Sequence, residues 1–218
     1  MRTKVCGITR QADAELAARL GADFVGLLRA PGPRQVSVEL AAGIARALPP
    51  STMPVLVFQD ASADEVCRAI EATGARWAQL HGREPPVYVR QLVERCAELN
   101  LIRAWPVAGI EAAEELRAYL DACAAEKVVF RALILDAPKG GVHPGYDLLG
   151  AVSRRCAGAV RELWCAGGLT VGNVQEAVRA GCYTGVDVAR GVECSPGVKD
   201  PALLERFIKL AKSVEPAA

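Results

Sequence analysis

Short runs of Val, Ile and Leu alternate with longer segments of helical period along the chain, and this alternation limits the possible folds more than any other feature of the sequence. Continuous apolar strands must be covered on both faces, and helices between them supply that cover, so the pattern is that of a parallel sheet wrapped by helices. Eight strands are expected, at Thr3 to Cys6, Phe24 to Leu28, Pro54 to Phe58, Trp77 to Leu80, Leu101 to Trp105, Ala132 to Leu135, Glu162 to Ala166 and Gly185 to Val188. Helices are expected over Gln11 to Leu20, Ser37 to Leu48, Ser62 to Thr73, Pro86 to Cys96, Ile110 to Ala125, Tyr146 to Arg154, Val171 to Ala180 and Pro201 to Lys212. Ser37 and Ser62 suit N-caps, Pro86 and Pro201 suit first turns, and Gly21, Gly74 and Gly181 stand where left-handed C-caps are needed.

Eight units of about 27 residues fit a small (β/α)8 barrel. An open doubly wound sheet is the rival, but equal units and the lack of GxGxxG after the first strand favour closure. No break in composition calls for a second domain, so residues 1–218 are expected to form one barrel domain, with Glu215 to Ala218 frayed. With 26 Lys plus Arg against 25 Asp plus Glu and no basic block, neither nucleic acid nor a membrane surface is an expected partner. No apolar run reaches the roughly 18 residues of a spanning helix, and the first residues carry no apolar signal core, so a cytoplasmic location is expected. The eight cysteines lack a CxxC pair and there are only two histidines, so most cysteines are expected to be buried or free thiols, and no metal site is expected.

Barrel chemistry sits where strands run into βα loops. Those positions hold Cys6, Arg34, Gln79 with His81, Asp136, Gly167-Gly168, and Asp187 with Arg190-Gly191. Cys6 reads equally as a small buried hydrophobe or as a thiolate exchanging a proton, and Asp136 as a general acid or a loop cap. Arg34 suits a carboxylate clamp or the surface. Glycines in both loops after the seventh and eighth strands favour phosphate held by main-chain NH groups and a helix N-terminus over two ordinary turns. Trp77, Trp105 and Trp164 fit core packing, His81 a structural hydrogen bond or direct chemistry, and His143 a solvated loop.

Lys4-Val5-Cys6-Gly7-Ile8-Thr9, Pro33-Arg34-Gln35-Val36-Ser37, Gln79-Leu80-His81-Gly82, Leu135-Asp136, Ala166-Gly167-Gly168-Leu169 and Gly185-Val186-Asp187-Val188, followed by Gly191-Val192-Glu193 and Ser195 to Asp200, occur in this order. Together they resemble the phosphoribosylanthranilate isomerase family. The resemblance implies a (β/α)8 barrel of tryptophan biosynthesis that converts N-(5-phosphoribosyl)anthranilate to 1-(2-carboxyphenylamino)-1-deoxyribulose 5-phosphate by an Amadori rearrangement, without a cofactor. It implies Asp136 as general acid and Cys6 as general base. Arg34 would hold the anthranilate carboxylate, with Gln79, His81 and Asp187 against the substrate. Gly167, Gly168, Arg190 and Gly191 would hold the phosphate. A thiol acting as base at neutral pH is expected to have a depressed pKa.

Three mouth loops differ from the family's usual pattern. An aromatic-rich run after the second strand is Leu27-Leu28-Arg29-Ala30-Pro31-Gly32-Pro33-Arg34, the loop after the sixth is Gly140-Gly141-Val142-His143-Pro144-Gly145, and serines after the eighth are Ala189-Arg190. A divergent relative acting on another phosphoribosyl amine is the second reading, and a non-catalytic sugar-phosphate-binding barrel the third. Monomer and homodimer are both compatible with the sequence.

Overall fold

The computed structural model describes residues 1–96, 98–138 and 142–214. The expected frayed tail at 215–218 and the Gly140-Gly141 pair lie outside the described residues. Eight parallel strands close into a barrel: β1 (Arg2–Cys6), β2 (Phe24–Leu28), β3 (Met53–Phe58), β4 (Trp77–Leu80), β5 (Asn100–Pro106), β6 (Ala132–Asp136), β7 (Glu162–Cys165) and β8 (Gly185–Val188). The eighth strand pairs with the first, Lys4 facing Asp187, so the doubly wound alternative is ruled out. Helices α1 (Gln11–Arg19), α2 (Val38–Ala47), α3 (Ala63–Thr73), α4 (Pro86–Arg95), α5 (Ala112–Ala125), α6 (Tyr146–Arg155), α7 (Val174–Arg179) and α8 (Pro201–Lys212) follow their strands in turn. Among the described residues no helix is long and apolar enough to cross a membrane.

Because side chains alternate along a strand, one set fills the barrel and the other meets the helices. Phe24, Val55, Ile102, Ala104, Ala132, Ile134, Trp164 and Ala166, with Trp77 against them, form the inner cluster. Phe24 anchors it, with ring centroids 5.1 Å from Trp77 and 4.9 Å from Trp164. The alternate residues, such as Val5, Leu56, Leu133, Leu135 and Val186, join the larger cluster beneath the helices. The same alternation puts Lys4 and Cys6 of β1, Asp136 of β6 and Asp187 of β8 on the inner set.

Local signals account for most boundaries. Ser37 accepts from Leu40 N and Ser62 from Glu65 N, while Asp200, not singled out from sequence, caps α8 through Leu203 N. Gly74 ends α3 at φ +68°. Gly181 departs from expectation: its φ is not positive, and glycine is needed there because a Cβ would run into Ser153 and Tyr183. Helix α7 begins at Val174, three residues later than expected, because Asn173 Oδ1 accepts from Thr170 N and Thr170 bridges Gly191, which fixes residues 170–173 as a loop. After β8 a small antiparallel hairpin, β9 (Glu193–Ser195) with β10 (Val198–Lys199), adds structure not expected from sequence.

Candidate active site

At the C-terminal ends of the strands a cavity of about 720 Å³ opens, lined among others by Cys6, Arg34, Gln79, His81, Asp136, Gly167, Gly168, Asp187 and Arg190. All but one of the site residues expected from sequence therefore meet in one place. Gly191 is the exception: it packs against Leu169, where a Cβ would strike the Leu169 carbonyl, so it joins the two glycine loops from behind the cavity.

On one wall, Asp136 ends β6 with its Oδ2 3.5 Å from His81 Nε2. Gln79, fully buried on β4, lies with its Nε2 3.1 Å from His81 Nδ1. If the amide donates, Nδ1 is the acceptor and the ring's other N–H faces Asp136. Gln79 Oε1 is buried with no hydrogen-bond partner among the described residues.

Elsewhere around the mouth, Cys6 ends β1 beside a fully buried ammonium. Lys4 Nζ lies 3.0 and 3.1 Å from the two Asp187 oxygens. Burial works against the Lys4 charge, but Asp187 and Cys6 outweigh it and its pKa is raised. Burial pushes the Asp187 carboxyl up, with Lys4 opposing. Burial likewise pushes the Cys6 thiol above its ordinary value, Lys4 opposing in part. The expected depression of Cys6 is thus not found, because loss of hydration outweighs the neighbouring cations. With Cys6 as the base, kcat/KM is expected to keep rising with pH well into the alkaline range rather than level near neutrality, which a pH series on the free enzyme checks.

Gly26, on β2, is required here by close approach. A Cβ would sit 2.7 Å from Cys6 Sγ, 3.0 Å from Lys4 Nζ and 3.1 Å from Cys6 Cα. Gly26→Ala is expected to cost about 1–3 kcal/mol in urea unfolding, because strand backbone cannot move aside as a flexible side chain can.

A chain of charges underlies this wall. Arg34 donates from Nε and Nη2 to Glu193, with Nη2 2.6 Å from Oε2. Glu193 also receives Lys199 Nζ at 2.8 Å, and the same ammonium donates to the carbonyls of Cys6 at 2.7 Å and Ala189 at 3.1 Å. Burial alone would raise the Glu193 carboxyl, but Arg34 and Lys199 hold it below its usual range. Burial lowers the Lys199 ammonium, with Glu193 opposing. The Arg34 stem crosses directly over Gly7, where a Cβ would lie 2.6 Å from Cδ. Arg29, in contrast, is not among the cavity-lining residues and donates to the Val36 carbonyl, bracing the loop after β2.

The third wall is the glycine loop after β7. Gly167 and Gly168 are both left-handed, at φ +84° and +63°. Tyr146 OH, at 3.0 Å, and His143 Nε2, at 3.1 Å, meet the Gly167 carbonyl, and Asn173 Nδ2 donates to that of Gly168. His143, read from sequence as solvated, is exposed but lines the cavity and sits edge-on to Tyr146.

The described geometry joins an acid, a thiol, a clamped arginine and a glycine loop in one barrel mouth. A family model for "N-(5'phosphoribosyl)anthranilate (PRA) isomerase" matches residues 3–210. The chain belongs to that family. An N-(5'-phosphoribosyl)anthranilate isomerase of Myxococcus xanthus is 36% identical over 217 residues, covering 98% of this chain and 97% of the relative. Crystal structures agree: phosphoribosyl anthranilate isomerase of Thermotoga maritima superposes with a TM-score of 0.85 at 31% identity, covering 98% of this chain and all of that one. A phosphoribosyl anthranilate isomerase in complex with reduced 1-(o-carboxyphenylamino)-1-deoxyribulose 5-phosphate gives 0.83, with the same identity and coverage.

Two contributors to the site were missed from sequence. Lys4 was read only as part of the opening motif, although a lysine two residues before Cys6 on a strand must share its face. Glu193 was likewise only a motif letter; its pairing with Arg34, 159 residues away, leaves no local signal.

Proposed function

We propose that this chain isomerises N-(5'-phosphoribosyl)anthranilate to 1-(o-carboxyphenylamino)-1-deoxyribulose 5-phosphate in tryptophan biosynthesis, with Asp136 and Cys6 as the acid and base. The observation that carries this reading is that those two groups line one cavity together with a clamped arginine and a glycine loop. Asp136 gives its proton to the furanose ring oxygen as the C1–O bond breaks, and the anthranilate nitrogen lone pair closes to a C=N bond. Cys6 thiolate then removes the C2 proton, and those electrons form the enolamine. Loss of the enol proton and protonation at C1 complete the ketone, so no atoms are gained or lost.

Glu193 occupies the Nε/Nη2 side of Arg34 and fixes the guanidinium, and a substrate carboxylate is met by the remaining edge. Gln79 Oε1, without a protein partner, suits a substrate hydroxyl. Gly167, Gly168 and Arg190 suit the phosphate, with Gly191 supporting their loops. The dipole of α7 adds little, since that helix has six residues. All eight cysteines are free thiols, which supports a reducing, cytoplasmic setting.

The test is the decay of anthranilate fluorescence when the protein meets phosphoribosylanthranilate generated in situ. Catalytic turnover is expected, and Arg34→Ala is expected to raise KM by about 10–100-fold through loss of a charged hydrogen-bonding pair. A folded wild-type protein without turnover would overturn the substrate assignment. A divergent relative would then gain ground, because Leu28, Ala30, Ala189 and Arg190, from two of the altered loops, all line the cavity.

A further inference from the structure

The Lys4–Asp187 pair does more than fill the barrel. Buried ion pairs are costly to desolvate and seldom justified by stability alone, and this one sits at the level of the proposed base. The Gly26 contacts place Cys6 Sγ and Lys4 Nζ around the same point, while Asp187 holds both oxygens on that ammonium from β8. Lys4 is wholly buried and is not among the cavity-lining residues, whereas Cys6 and Asp187 are. Its ammonium is therefore enclosed between two cavity-lining groups that can each carry negative charge.

We propose that Lys4 is a positioning residue that ionises Cys6, and that Asp187 sets how much of the Lys4 charge the thiol receives. The proposal rests on Cys6 being the base. With Cys6 as a thiol, Lys4 and Asp187 neutralise one another and nothing is left unpaired. With Cys6 as a thiolate, the three groups carry one net negative charge, shared by the same ammonium. A lysine without Asp187 would hold Cys6 ionised but make it a weaker base. An uncharged residue in place of Lys4 would leave the buried thiol protonated. A base works best when its pKa lies near the working pH; Lys4 offsets part of the burial that raises the thiol, and Asp187 limits that offset.

Other charges also face Cys6. Lys199 of β10 bonds to its carbonyl, Arg34 approaches from the loop after β2, and Glu193 of β9 bonds both, so these three groups keep one net positive charge. Beyond Asp187 stand Asp136 of β6 and His81 after β4, which contact one another. Lys199 and Arg34 are both tied to Glu193, whereas Lys4 is the cation whose partner lines the cavity beside Cys6.

The experiment is the pH dependence of Cys6 alkylation by iodoacetamide on the full chain, read for this site by peptide mass mapping because seven other cysteines are present. Asp187→Asn is expected to move the Cys6 midpoint below that of wild type. The charge-balanced pair Lys4→Met/Asp187→Asn is expected to move it above wild type, because Lys4 lowers the thiol more than Asp187 raises it. Lys4→Met alone is expected to move it further still; where the unpaired Asp187 prevents folding, the double variant carries the decision. A double variant with the wild-type midpoint or a lower one overturns the proposal, as does an upward shift in Asp187→Asn. Alkylation requires no turnover, so the test is separate from the assignment of the base. Cys6→Ser with wild-type kcat would overturn that assignment, while the order of the midpoints would still decide the role of Lys4.

Discussion

Replacing Asp136 by Asn is expected to lower kcat by about 10²–10⁴-fold with KM little changed, the usual reach of one positioned proton donor. Asparagine keeps the size of the side chain and can still meet His81, now 3.5 Å from the carboxylate. What it cannot do is hand a proton to the ring oxygen. Ring opening should therefore become the slow step, and single-turnover fluorescence decay should slow by the same factor as kcat. A variant within about tenfold of wild type would mean that His81 or water supplies the proton and that Asp136 only holds the histidine.

Arg103→Met is expected to destabilise the protein by about 3–5 kcal/mol, the largest stability loss anticipated for one substitution here. Arg103 of β5 and Glu84, in the loop after β4, are both nearly inaccessible and bond directly. Glu84 also accepts from the amides of Asp60 and Gly82, and its carbonyl receives Tyr119 OH. Arg103 donates to the Gly82 carbonyl and lies 5.4 and 5.0 Å from the ring centres of Trp105 and Tyr119. Removing the cation leaves a buried carboxylate with only main-chain donors. Arg103→Met/Glu84→Gln is expected to lose clearly less than Arg103→Met, since it leaves no buried charge. Urea unfolding of the two variants measures the difference, and a single variant within 1 kcal/mol of wild type would contradict it. Because Gly82 adjoins His81, the single variant should also lose activity before it unfolds.

The barrel was legible because its strands are short apolar runs at near-regular intervals, a pattern set by local sequence. Cys6, Asp136 and the glycine loop were legible for a related reason: strand ends can be counted, and in a barrel they meet at one mouth. What escaped reading depends on partners far apart in the chain. Lys4 finds Asp187 183 residues away, and Arg103 finds Glu84 across a strand boundary. The β9–β10 hairpin has too few residues for its alternation to register. The state of the Cys6 thiol was misjudged because burial, which sequence does not show at a strand end, outweighs the cations around it.

The bond from Lys199 to the Cys6 carbonyl spans 193 positions of the chain. At roughly 5–20 residues per second, the ribosome releases Cys6 about 10–40 s before the lysine that secures it. For most of that interval β1 has neither β8 nor the hairpin beside it, and a truncated product ending before residue 185 would keep both proposed catalytic side chains yet lack Asp187, Arg190 and Glu193. Catalytic competence is therefore expected only late in synthesis, once β8 and the hairpin have been made.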